Sequence, residues 1–144
     1  MIEQDTIKLL RECDAGVRMG ISSIDDVVDH VSHEQMLLCL SKCREAHLHL
    51  AQEIEAALKR FGDEGKKPSP IAKTMSEVKT NMSLMMNDSP RKIAELMTDG
   101  CNMGVKSLSM YLNQYKAADE SAKGICKRLI SLEEQLAVDM RGYL

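Results

Sequence analysis

One stretch constrains the fold more than any other. Met36, Leu40, Cys43, His47, Leu50, Ile54, Ala57 and Phe61 recur at alternating steps of four and three. That spacing is the seam of a helix packed at a shallow angle against its neighbours, as in a left-handed bundle. A strand would repeat every two residues, and a surface loop would show no period.

The same period returns elsewhere. Leu10, Asp14, Val17, Ile21, Ile24, Val28 and Val31 form one stripe, with Thr6, Leu9, Cys13, Gly16 and Gly20 beside it. Ile93, Met97, Gly100, Gly104, Leu108, Tyr111 and Tyr115 form another, as do Ile125, Leu129, Leu132 and Leu136. The punctuation agrees. Ser32 with Gln35 has the pattern of a capping box, and Gly62 sits where a helix-ending glycine belongs. Ser69–Pro70 and Ser89–Pro90 each place a capping serine before a first-turn proline. The reading is one all-α domain over 1–144, with helices at about 5–31, 33–61, 70–86, 90–115 and 120–143.

Short loops make antiparallel hairpins of the first two and last two long helices. Residues 62–89 lie between them and carry one shorter helical stretch, with Ile71, Met75, Val78, Met82 and Met85 on a face. The long helices would span roughly 36–42 Å at 1.5 Å per residue. A linker plus the short helix can cover that length, which favours a ferritin-like four-helix bundle, two hairpins joined by a long crossover. A five-helix up-and-down bundle is the alternative.

Composition narrows the function classes. A net charge of −3, with no basic stripe, argues against a nucleic-acid partner. No apolar run approaches the ~18 residues of a membrane span. The opening MIEQDTIKLL lacks the basic–apolar–small order of a signal peptide, so a cytoplasmic location is expected. The five cysteines (13, 39, 43, 101 and 126) are then expected as free thiols behaving as small hydrophobes.

The crossover register puts several singular residues at one level near mid-bundle. Gly16 and Gly20 face Gly100 and Gly104, and His47, Cys43, Cys101 and Glu133 lie at the same height. Mid-helix glycine costs about 1 kcal/mol against Ala, so four of them require a reason. Close packing of the first long helix on the third is one; room for a bulky side chain or ligand is the other. His47, Glu133 and Cys43 are the candidate metal ligands, offering nitrogen, carboxylate and thiolate to a transition metal. A buried His–Glu hydrogen bond accounts for the same placement. Asp14 is expected to pair with Lys127 or Arg128, and His49 to face solvent. The Met82, Met85 and Met86 group is a candidate soft-metal or partner surface, or simply packing.

A di-iron carboxylate centre requires Glu-x-x-His on two helices. Here Glu45 is followed at that spacing by Leu48, and Glu133 by Leu136. No phosphate-binding glycine loop, HExxH or GxSxG occurs either. The chain therefore carries no catalytic signature.

The stretches ELMTDGCNMGVKSLSMYLNQY (95–115) and DTIKLLRECDAGVRMGISSI (5–24) resemble a family of small bacterial ferritin-like bundles, the DUF2383 type. The resemblance spans nearly the whole chain, including the proline-flagged crossover. It implies a ferritin-like fold and no particular substrate. The expectation is a non-catalytic helical interaction or structural module without a working di-iron centre, pairing with itself or another protein through the Met-rich crossover or the exposed side of the second helix. The alternative is a metal- or small-ligand-binding bundle with its site at His47, Glu133 and Cys43.

Overall fold

The computed structural model describes residues 2–66, 84 and 87–144. Its long elements are four helices: α1 (Ile2–Val28), α2 (Glu34–Arg60), α3 (Pro90–Gln114) and α4 (Glu120–Met140), followed by a 3-10 turn at Arg141–Tyr143. No strand occurs among the described residues. The helix predicted at 70–86 and the Met82, Met85 and Met86 group lie outside them, Leu84 apart.

The helix ends follow local chemistry, sometimes through a different residue from the one expected. α1 starts three residues early and ends three residues early. Asp5 and Thr6 are anchored at its start, accepting from the Ala117 and Asp119 amides of the α3–α4 loop at 3.0 and 2.8 Å. At its end the His30 and Val31 amides turn back to the Val27 and Val28 carbonyls. The cap of α2 is His33, whose Nδ1 accepts from the Met36 amide at 3.3 Å, rather than Ser32. Its imidazole also meets Tyr143 edge-on, centroids 5.0 Å apart.

At the other end of α2, Gly62 takes a positive φ of 69°. Its amide donates to the Lys59 carbonyl and that of Asp63 to the Leu58 carbonyl. This pair of bonds closes a Schellman motif. Ser89 caps α3 as expected, accepting from Lys92 N–H at 3.2 Å. Asp119 does the same for α4 at Ala122. The α4 helix stops at Met140, short of the expected 143, where Gly142 weakens the helical hold.

Two buried clusters fill the interior. One gathers Leu9, Cys13, Val17, Leu50, Ile54, Leu108, Ile125 and Leu129. The other gathers Ile24, Val27, Met36, Leu40, Leu84, Ile93, Met97, Leu136 and Met140. The first therefore joins the start of α1, the end of α2, the end of α3 and the start of α4. The second joins the opposite ends of the same four helices. α1 and α4 pack on each other and on both remaining helices.

Asp14 departs from expectation. It is buried on α1, where it accepts from Arg18 Nε at 3.2 Å and from the Lys66 amide at 3.0 Å. Arg128 instead pairs with Glu53, which places it on the outer α2–α4 face. His49 is exposed, near Glu45. No described helix is long and apolar enough to cross a membrane.

Candidate functional site

Between the two apolar clusters lies a polar level. The α2 seam carries His47 inward there, and it is fully buried. Its Nδ1–H donates to the Cys43 carbonyl, one turn earlier, at 2.8 Å. Its Nε2 lies 2.8 Å from Oε1 of Glu133, brought in by α4 and 8% exposed. A ring that donates from Nδ1 can donate to a carboxylate from Nε2 only as imidazolium. Burial pulls the His47 ring down, but its hydrogen bonds to Cys43 and Glu133 outweigh that and raise it from 6.5 to about 10. The pair is therefore a buried imidazolium–carboxylate ion pair.

The glycines explain how this pair fits. A Cβ on Gly20 would stand 2.7 Å from His47 Nε2 and 3.2 Å from Glu133 Oε1. On Gly104 it would stand 3.5 Å from Glu133 Oε2. The expected close packing of α1 on α3 is thus not the role of Gly20. It leaves room for a bulky polar pair reaching in from α2 and α4, while a Cβ on Gly104 would make ordinary contact with Glu133. Gly16 does meet neighbours at ordinary contact, Leu108 and Leu129 at 3.5 Å. No described atom lies within 4 Å of a Cβ built on Gly100.

Where α1 and α3 fail to close, a cavity of about 490 Å³ remains. Small residues of both helices line it, among them Ala15, Gly16, Ser23 and Ser107, with Met19, Met97, Leu108 and Leu136 as apolar walls. His47 and Glu133 also line it. Glu12 and Lys66, joined at 2.6 Å, stand at its margin with Tyr111. The volume is in the range of small-molecule sites, which combine apolar walls with a few placed polar groups.

All three sequence-predicted ligands therefore meet, but not at one point. Cys43 Sγ lies 3.5 Å from Nδ1, while Glu133 contacts Nε2. The two nitrogens of an imidazole point away from each other, so Cys43 and Glu133 sit on opposite sides of the ring. Among the described residues, no group of three or more His, Cys, Asp or Glu is arranged to hold a metal ion. Cys101, buried in the cavity wall, is kept protonated by burial and by the charge of Glu133. Sequence reasoning missed Glu12, Lys66 and the Met19–Ser23 edge of α1. The spacing of Glu12, Ala15, Met19 and Ser23 is helical and borders the glycine stripe, which was the available signal. Lys66 read only as linker.

Comparisons of the chain with protein-family models, curated proteins and solved structures found no match.

Proposed function

We propose that this chain is a ferritin-like, non-catalytic helical bundle that binds a small molecule in the cleft between α1 and α3, with the His47–Glu133 pair as its polar floor. The observation that carries the reading is a cavity of about 490 Å³ at the level where a buried ion pair replaces apolar packing. The fold part is supported by helix direction: α2 ends at the bundle end where α3 also ends, so the two run parallel, as a crossover connection requires. The resemblance to the DUF2383 type points the same way.

Filling the cleft tests the binding part. Gly104→Leu projects a side chain into it from a Cβ that would stand 3.5 Å from Glu133 Oε2. In a thermal-shift and NMR screen of drug-sized fragments, the parent chain is expected to yield hits that shift the Met97 and Met103 methyls. The filled variant is expected to lose them. A screen with no hit at those methyls sinks the reading.

A role as an interaction module is the second reading. Leu37 and Leu38 on the outer side of α2 are 39% and 50% exposed, and Met103 and Met110 on α3 are 70% and 59%. Sedimentation showing a monomer at all concentrations, unaltered by Leu38→Glu, would remove self-association.

A further inference from the structure

We infer that the cavity accepts a neutral, mostly apolar molecule carrying a hydroxyl or N–H donor, and that this donor is received by Oε2 of Glu133. The inference rests on the small-ligand reading above and adds the chemical class.

An inventory of hydrogen-bonding capacity leads there. The two His47 N–H groups are spent, one on the Cys43 carbonyl and one on Glu133 Oε1. Glu133 is nine-tenths buried, yet Oε2 receives no N–H or O–H hydrogen bond from the described residues. The Cys101 thiol, a weak donor, also interacts with the Glu133 carboxylate. An ionised carboxylate offers about four lone-pair sites, so the floor has acceptor capacity to spare and no free donor. Gly104 leaves the approach to Oε2 without a Cβ.

Charge then decides between candidates. An anion at the floor would meet the Glu133 carboxylate, and the Lys66 charge at the margin is already paired with Glu12. A cation would add charge to a site whose ions already balance: His47 against Glu133, and Lys66 against Glu12. Burying an unmatched charge costs several kcal/mol. A neutral donor avoids both penalties. The walls of Met19, Met97, Leu108 and Leu136 set the rest of the molecule as apolar.

The test uses four probes of matched shape: octan-1-ol, heptyl methyl ether, octylammonium and octanoate. Each is titrated into the full chain carrying ¹³C-methyl methionine. Octan-1-ol is expected to saturate the Met97 and Met103 shifts and to bind at least about tenfold tighter than the others, since a hydrogen bond to a charged acceptor contributes about 1.5–3 kcal/mol. Glu133→Gln, whose one oxygen is taken by the His47 N–H so that its NH2 turns toward the cavity, is expected to lose the preference for alcohol over ether. Gly104→Val, whose side chain would cover Oε2 from 3.5 Å, is expected to erase it as well. If octylammonium or octanoate binds as tightly as the alcohol, the class is wrong while the cavity remains a ligand site. An alcohol–ether preference that survives Gly104→Val also overturns the role of Oε2. If none of the four moves those methyls, and the fragment screen is equally silent, the small-ligand reading falls as well.

Discussion

Gly20 stands where a Cβ would collide with the buried His47 ring. Its helical position and its company with Gly16 suggested two helices pressed together. The structure uses it to clear space for His47 Nε2, 2.7 Å from where a Cβ would be. A sequence stripe shows that a side chain is missing but not which neighbour needs the room, because that neighbour arrives from another helix. Gly20→Ala should therefore destabilise the fold by about 1–3 kcal/mol through overpacking, despite the better helix propensity of Ala. Gly124→Ala on α4, where a Cβ would meet nothing within 4 Å, should instead stabilise by roughly 0.5–1 kcal/mol. Urea midpoints of the two variants check the contrast. His47 carries a second expectation. Its folded value, about 10, lies above its ordinary 6.5. A group raised on folding adds stability that is complete below the unfolded value and disappears as pH climbs through the folded one. The stability advantage of the parent chain over Glu133→Gln should then be largest below about pH 6.5 and shrink toward pH 10. A gap that widens with pH would mean His47 is buried neutral.

At the scale of elements, the long helices were readable because their signals are local. A four–three apolar period, a serine before proline and a glycine after the last turn all act within a few residues. The caps that differ do so through tertiary contacts. His33 replaces Ser32 at the start of α2, and its ring also meets Tyr143, far away in sequence. Thr6 and Asp5 extend α1 by bonding the α3–α4 loop. Asp14 was read toward α4, but the chain beyond α2 folds back so that the Lys66 amide reaches it first. Gly62 is the cap whose conformation was visible beforehand, and it yields a prediction. At φ of 69° a Cβ is strained, so Gly62→Ala should cost about 1–2 kcal/mol. The loss should appear in hydrogen exchange as earlier opening of the last turn of α2, before the rest of the helix. Uniform loss along α2 would show that the cap is not what holds that end.

For the whole molecule, the question is why a bundle with two apolar clusters keeps an ion pair between them. The relative heights of His47 and Glu133 were legible, since helix length and loop position fix register. Their tautomer, their opposite-sided contacts and the open α1–α3 cleft were not, because each depends on side-chain directions across helices. Buried ion pairs are poor sources of net stability: breaking one by removing a single partner costs about 3–5 kcal/mol, whereas replacing both with apolar residues of similar volume is often neutral or stabilising by about 1–4 kcal/mol. The single variants His47→Leu and Glu133→Met should each be strongly destabilised. The double variant should recover to the stability of the parent or exceed it, since Gly20 already clears space around these two positions. A double-mutant cycle from urea unfolding measures the coupling. Recovery of stability together with loss of the alcohol–ether preference would assign the pair to recognition rather than to the fold. A double variant as unstable as the worse single one would assign it to the fold, and the polar floor would then need no ligand to account for it.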